Sequence, residues 1–282
     1  MSDTKNIAEV ETPNNPDRRS FLKRASMGSA VVVGGSLAFG GLLKHAEALT
    51  SRSTKTSSGL KEGDNEILIA ASIAEALAVT TYTNIINTAP FFKNLASDDQ
   101  RYLTAARQEE MSHYQLEVSA TGKASPYTTF YYPPNMFTDA QTTLNVLVTL
   151  EDAFIAAYLV GVRNFSSPAL RVTAARIMGI ESDHRTLARV VGPGVAASDG
   201  GPIESITGLA GVPESVDPPN NNAYERTACW SHISQAVKAL TPFVDVNAAS
   251  AAGFDISKSF DFQPFTPVVP NPLGDFISFT GC

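Results

Sequence analysis

The chain has 282 residues, of which 43% are hydrophobic and 17% charged, a composition typical of a globular protein with one large domain or two small ones. Its formal net charge of −7 argues against non-specific binding to nucleic acid, because the phosphate backbone repels an acidic protein. No basic patch or base-stacking motif offsets this charge.

The N-terminal residues resemble a bacterial export signal. Residues 17–23, DRRSFLK, are similar to a twin-arginine motif, and a Gly-rich apolar stretch follows over 25–43. This stretch is too short and too rich in glycine for a good membrane span. The small residues at 46–48 predict cleavage after Ala48, with an uncleaved N-terminal anchor as the alternative. Residues 1–48 therefore predict passage through the twin-arginine translocation machinery to the periplasm or the medium.

Four long helices are predicted over 64–192, after a Ser/Thr/Gly-rich flexible linker over 49–63. Their expected bounds are about 64–88, 97–122, 138–164 and 167–191. Asp64 is the expected N-cap of the first helix, and capping-box patterns begin at Ser97 and Thr138. The fourth helix is expected to open with Ser167 as its cap, followed by a proline at the first helical position.

The connections between these helices predict a topology. Helices one and two are joined by about eight residues and helices three and four by two or three, so each pair is expected to form an antiparallel hairpin. The Tyr/Pro-rich segment between helices two and three, residues 123–137, is long enough to span the length of a bundle. The sequence therefore predicts an all-α fold, an antiparallel four-helix bundle with one long central crossover, followed by a C-terminal helix and an irregular tail.

One spacing pattern points to chemistry. Each predicted helix carries either a lone glutamate or a Glu-x-x-His motif, in alternation: Glu75, then Glu110 with His113, then Glu151, then Glu181 with His184. Positions three apart share one face of a helix, so the two residues of each motif can point at one ion. A bundle that turns all four faces inward gathers the ligands of a dinuclear metal site.

Each glutamate has an alternative interpretation. Any one of them can face solvent or pair with an arginine on a neighbouring helix, and the inward candidates for such pairing are Arg107, Arg163, Arg176 and Arg185. Glu75 and Glu151, however, each follow an apolar run. A carboxylate buried without a partner shifts its pKa or requires a cation.

Helices one and three also share a pattern at steps of seven: Leu68, Glu75 and Tyr82 in the first, and Leu144, Glu151 and Tyr158 in the third. The tyrosines are expected either to pack in the core with a satisfied hydroxyl or to donate a hydrogen bond to a ligand carboxylate. Glu117, seven residues after Glu110, is expected at the surface, with an inward carboxylate as the alternative.

Residues 193–282 form a predicted C-terminal extension. A Gly/Pro/Asn-rich loop over 193–221 is followed by a fifth helix over 224–240, and the remainder is expected to extend over the bundle surface. His232 is expected to be structural or exposed, because no acidic residue stands at metal-ligand spacing from it. Cys229 and Cys282 can form a disulfide outside the cytoplasm, but the sequence leaves this open.

The six acidic and imidazole residues and the central crossover resemble the ferritin-like superfamily. The segment LTAARQEEMSHYQLE in helix two is also similar to exported ferritin-like proteins related to desiccation-related proteins. The resemblance implies that Glu75 and Glu151 are terminal ligands and that Glu110 and Glu181 bridge two ions. It implies that His113 and His184 each bind one ion. Rubredoxin-type cysteine pairs are missing, and the C-terminal extension is foreign to cage-forming ferritins.

The expected ligands of this site are two iron ions, or two manganese ions, because carboxylate and imidazole donors in this ratio suit both metals. The first functional hypothesis is redox chemistry with dioxygen or peroxide, as a ferroxidase or in peroxide detoxification. The second is a non-enzymatic stress- or desiccation-related scaffold that keeps the metal only as a structural element. The sequence assigns no catalytic residue and leaves the oligomeric state open, a homo-oligomer included.

Overall fold

The computed structural model describes residues 62–191 and 227–268, and it confirms an all-α fold in this part of the chain. The long helices are α1 (Glu62–Thr88), α2 (Ser97–Thr121), α3 (Ala140–Asn164) and α4 (Pro168–Val190). The shorter elements are a 3-10 turn (Phe92–Asn94), α5 (Ile233–Val244), α6 (Val246–Ala251) and the paired antiparallel strands β1 (Thr129–Phe130) and β2 (Phe260–Asp261).

Local chemistry fixes three of the helix ends. Ser167 begins α4 as predicted, because its hydroxyl accepts a hydrogen bond from the Leu170 amide and Pro168 follows at the first helical position. Gly122 ends α2 with φ of 68°, a left-handed conformation that glycine adopts without steric cost. The cap of α3 is Asp139 rather than Thr138, since the Asp139 carboxylate accepts from the Thr142 amide at 2.8 Å.

Two other predicted N-caps are also wrong. Asp64 lies inside α1, is buried, and accepts hydrogen bonds from the Ser166 amide at 2.8 Å and its hydroxyl at 2.5 Å. It therefore ties α1 to the α3–α4 connection. Ser97 is the first residue of α2, and its N-cap is Ala96, which has no capping side chain. The Gln100 amide group bonds to a carbonyl of the preceding turn instead of closing a capping box.

Contacts between α1 and α3 establish the crossover. The Tyr82 hydroxyl donates to Glu151 at 2.6 Å, and the Tyr158 hydroxyl bonds to Glu75, so the later part of each helix meets the earlier part of the other. The two helices are therefore antiparallel, and α3 begins at the end of the bundle where α1 finishes. Because α2 ends at the opposite end, the connection over 122–139 spans the bundle, as the sequence predicts.

An aromatic cluster fixes the crossover against the bundle. Tyr132 is buried, and its hydroxyl lies 3.0 Å from that of Thr81 on α1. Its ring packs edge-to-face on Phe137, Phe243 and Phe260, with centroids 4.9 to 5.9 Å apart. The crossover, α5 and the β2 segment therefore share one hydrophobic core with α1.

The fifth helix is displaced from its predicted position. Residues 227–232, which directly precede Ile233, are not helical. Trp230 therefore lies outside α5, and the exposed His232 is the residue immediately before this helix. The His232 amide donates to Oε1 of Gln235 at 3.2 Å, which caps the helix here. The helix continues through Pro242, which has no amide proton to donate to the carbonyl of the exposed Lys238 one turn earlier.

The segment predicted to extend over the bundle surface contains the end of α5 and the whole of α6, and only its last described residues extend over α2. The Phe262 ring packs on Tyr114 with centroids 4.8 Å apart, and the Arg107 guanidinium lies 4.3 Å from the centre of the Phe265 ring. The Val268 amide donates to the side chain of Gln108 at 3.0 Å.

Helices α1 and α3 are long and apolar enough to cross a membrane by length and composition, but 72% and 67% of their most apolar stretches are buried inside the protein. Each also carries a buried glutamate near its middle, Glu75 in α1 and Glu151 in α3. Packing within the bundle thus accounts for the hydrophobicity of both helices.

Four sequence predictions fall on segments outside the described residues. These are the export signal over 1–48, most of the linker over 49–63, the loop over 193–221 and the partner of Cys229 in a disulfide, Cys282. Cys229 itself is exposed.

Candidate metal centre

The structure brings all six predicted ligands together in the middle of the bundle. They are almost completely buried, with exposed fractions of 0% for Glu110, Glu151 and Glu181, 2% for Glu75, 3% for His184 and 7% for His113. Their donor atoms form two groups, and within each group they lie within 4.8 Å of one another. We call them the first position (Glu75, Glu110, His113, Glu181) and the second position (Glu110, Glu151, Glu181, His184).

Glu110 and Glu181 belong to both positions, and each offers one oxygen to each side. Nδ1 of His113 lies 3.4 Å from Oε2 of Glu110 and 3.2 Å from Oε1 of Glu181. Nδ1 of His184 lies 2.8 Å from Oε1 of Glu110 and 3.4 Å from Oε2 of Glu181. This arrangement is the one that two bridging carboxylates require between a pair of cations.

Unsatisfied polar atoms show that the cluster fits metal ions. In the described part of the chain, the following buried ligand atoms have no hydrogen-bond partner: Oε2 of Glu75, Glu110 and Glu151, both carboxylate oxygens of Glu181, and Nδ1 of His113. A buried polar atom without a partner costs about 1–3 kcal/mol, more when it is charged. Cations coordinated by these atoms would remove that cost.

Without metal, burial and mutual repulsion favour the protonated form of the outer carboxyls. Burial raises the pKa of Glu75 well above its ordinary value, and the charges of Glu110 and Glu181 raise it further. The pKa of Glu151 is raised for the same reasons, by burial first and then by Glu110. Metal binding at either position therefore has to displace a proton.

The histidines stabilise the charge of the shared carboxylate. Burial opposes ionisation of Glu110, but His184 and His113 outweigh it and leave the pKa of Glu110 lowered. Burial likewise opposes protonation of the two imidazoles, yet Glu75 raises the pKa of His113 and Glu110 raises that of His184. In the metal-free state the imidazolium groups thus take the place of cations.

Two tyrosines orient the terminal glutamates, each across the bundle from its own helix. Tyr82 of α1 donates to Oε1 of Glu151 on α3, and Tyr158 of α3 bonds to Oε1 of Glu75 on α1. Burial first, and then the neighbouring carboxylates, raise the pKa of both tyrosines, so the phenols remain protonated donors. The hydrogen bond to a ligand carboxylate, one of the two alternatives for these tyrosines, is the arrangement in the structure.

Glu117 is a fifth buried carboxyl beside the first position, so its expected place at the surface is wrong. It is 1% exposed, and its Oε1 lies 2.7 Å from the Tyr158 hydroxyl, which also contacts Glu75. A hydroxyl has one proton, so one of the two carboxyls must donate to it. Burial raises the pKa of Glu117 well above its ordinary value, consistent with a protonated group. The spacing of seven from Glu110 was the signal for an inward side chain.

Glu109 is the residue that the sequence reasoning missed. Its Oε2 lies 2.8 Å from Nε2 of His184, the ring nitrogen that faces away from the cluster, and its side chain is 36% exposed. The hydrogen bond from His184 lowers the pKa of Glu109. A carboxylate in this place fixes the orientation of the imidazole and leaves Nδ1 free to bind an ion.

The arginines that could neutralise the glutamates contact other residues or are exposed. Arg185 pairs with Asp152 at 2.6 Å, Arg107 stacks on Phe265, and Arg163 and Arg176 are exposed. In the described part of the chain, the ion pairs of the six residues join their carboxylates to His113 and His184, and His184 also pairs with Glu109. The bundle therefore supports a metal centre better than a salt-bridged core.

Four carboxylates balance the charge of two divalent ions, so a loaded centre would be near neutral among almost completely buried ligands. Oxygen donors with one imidazole for each ion suit iron or manganese.

Residues 63–192 match the family model of the ferritin-like domain. The search of the curated proteins gave no match. The antiparallel bundle with its long crossover, the buried Glu and His cluster and this match agree, and the four-helix part of the chain is a ferritin-like domain of the ferritin-like superfamily.

Proposed function

We propose that the domain holds two iron or two manganese ions and uses them in redox chemistry with dioxygen or peroxide. The observation that carries this proposal is the geometry of Glu110 and Glu181, each of which presents one oxygen to His113 and the other to His184. Two such shared carboxylates hold two ions side by side, where both can act on one substrate.

The side chains around the ions would have separate roles. Glu75 with His113 and Glu151 with His184 complete the two positions, and the tyrosine hydrogen bonds keep the terminal carboxylates in place. When bound there, the ions would supply electrons for reduction of dioxygen or peroxide, or would pass electrons from one peroxide molecule to another in dismutation. Near-complete burial of the ligands excludes bulk water and limits the substrate to a small molecule.

We place this activity in the bacterial periplasm or outside the cell, in protection against oxidative stress. The support for this location is the twin-arginine-like segment over 17–23. The twin-arginine route carries folded proteins, so the buried centre would be loaded before export, away from competing ions.

The test is turnover by protein loaded with Fe(II) or with Mn(II). We expect sustained consumption of dioxygen with Fe(II), or of hydrogen peroxide, and loss of both in Glu110→Ala. The matched control is Glu66→Ala, which removes a glutamate from α1 outside the cluster. Metal that is bound but inert toward dioxygen and peroxide would contradict the redox proposal and favour the stress- or desiccation-related scaffold.

A further inference from the structure

An apolar cavity of about 20 Å³ lies inside the bundle, at the end where α1 begins. Its walls come from all four long helices and include Ala71, Leu116, Phe154 and Ala174, each buried. Ile233, at the start of α5, also lines it. About 10–15 Å³ is enough for one molecule of the size of water, so the cavity has room for a diatomic molecule.

The cavity offers almost no hydrogen bonds to a guest. Its polar side chains are Thr173, Tyr158 and Glu117. The Thr173 hydroxyl donates to the Ala169 carbonyl at 2.9 Å, and the Tyr158 hydroxyl is engaged by two carboxyls. Oε2 of Glu117 is buried without a hydrogen-bond partner, so the cavity offers a guest one unsatisfied polar atom. Water in a cavity needs two to four polar partners, so we expect this one to be dry.

The corresponding region of the other half of the bundle is built differently. In the register that matches Glu75 with Glu151 and Glu110 with Glu181, three cavity-lining alanines correspond to leucines: Ala71 to Leu147, Ala74 to Leu150 and Ala174 to Leu103. Those leucines are at most 1% exposed and belong to the main core. At two positions the size difference is reversed, because the cavity-lining Phe154 and Ile177 correspond to alanines in the other half. The small residues on α1 and α4 therefore leave space beside the first position, where the other half carries leucines.

We propose that this cavity binds dioxygen next to the first position, an inference that rests on the proposed function. Dioxygen is small and apolar and loses no hydrogen bonds on entering a dry cavity. Hydrogen peroxide would lose the bonds that it makes with water and so would be excluded. Tyr158 and Glu117 line the cavity, and the Tyr158 hydroxyl contacts Glu75, so a guest beside Tyr158 is one side chain from a predicted ligand.

The first test does not depend on metal or turnover. Xenon is an apolar probe of similar size that enters dry cavities. We expect crystals pressurised with xenon to show an atom between Ala71 and Ala174 in the wild type and none in Ala71→Leu. An ordered water chain in the cavity, or a wild type without xenon, would overturn the proposal even if the enzyme turns over.

The second test is kinetic. Ala71→Leu and Ala174→Leu introduce the residue that the other half carries, and Ala105→Leu, on a half-buried position of α2 outside the cavity, is the matched control. We expect the KM for dioxygen to rise several-fold in the two cavity variants while that for hydrogen peroxide is unchanged. Metal content and melting temperature show that each variant is folded and loaded. An unchanged KM for dioxygen in such a protein would contradict the proposal. If the wild type shows no turnover, the redox function fails while the xenon result still decides on the cavity.

Discussion

The two ion positions have the same kinds of ligand and differ in the residues that surround those ligands. Both use a terminal glutamate, a histidine and the same two shared carboxylates, and each terminal glutamate bonds to a tyrosine from the other hairpin. The first position is backed by Glu117 and the apolar cavity. The second is backed by Glu109, which reaches solvent.

This difference shows how a repeated helix pair can acquire separate tasks. The ligands occupy matching positions in the two helix pairs, a lone glutamate followed by Glu-x-x-His in each, so the repeated pattern preserves them. The surroundings depend on single positions, such as Glu117, whose counterpart in the other half is Ala188. We therefore expect ions to exchange with solvent mainly at the second position, and an apolar substrate to approach the first.

The largest effect tests what the two positions have in common. Removing metal should lower the melting temperature by about 10 °C, because ions present at roughly a thousand times their Kd contribute about 4 kcal/mol. The measurement is thermal unfolding of the loaded protein with and without a chelator.

The lowering of the melting temperature on metal removal should depend on pH. In the metal-free protein the pKa values of Glu75, Glu151, His113 and His184 are raised on folding. Groups with a raised pKa stabilise the fold below their ordinary pKa, and this stabilisation is lost as pH rises. Bound metal requires the deprotonated ligands, so the difference in melting temperature should widen from about pH 5 to about pH 8. A difference that narrows with pH would contradict the cluster electrostatics.

A pair of tyrosine variants sharpens the comparison. Tyr158→Phe leaves both Glu75 and Glu117 without their hydrogen bond, whereas Tyr82→Phe affects Glu151 alone. Leaving buried polar groups unsatisfied costs about 1–3 kcal/mol, so Tyr158→Phe should lower the free energy of unfolding more than Tyr82→Phe does. Urea unfolding of the metal-free proteins measures this. Equal losses would mean that Glu117 does not depend on Tyr158.

The smallest effect concerns the second position. Glu109→Gln weakens the hydrogen bond that orients His184, which should reduce metal affinity about tenfold at that position. Titration with Mn(II) should then separate a weak site from an unchanged one, with Gln108→Ala as a control from the neighbouring position on α2. A uniform loss at both sites would show that Glu109 does not act through His184.

Sequence periodicity was sufficient for the fold and for bringing the six residues together. Glu-x-x-His spacing places two side chains on one helix face, and loop lengths determine which helices are antiparallel. It was not sufficient for Glu109, which lies next to Glu110 on the helix and reaches His184 only because α4 packs beside it. The pairing of Tyr82 with Glu151 was equally hidden, since it depends on how α1 and α3 cross.

Errors at the helix ends have a common physical origin. Asp64 has the chemistry of an N-cap, but its carboxylate bonds to Ser166, about a hundred residues away in sequence. The fifth helix begins later than predicted because a local side-chain cap from Gln235 competes with helical propensity.

The most direct test of the central claim is a metal count on protein reconstituted with Fe(II) or Mn(II) and freed of excess metal. We predict about two ions per chain in the wild type, about one in Glu151→Ala, and almost none in the double variant Glu110→Ala/Glu181→Ala, with helical content retained. Two ions per chain in the double variant, or none in the wild type, would contradict the account.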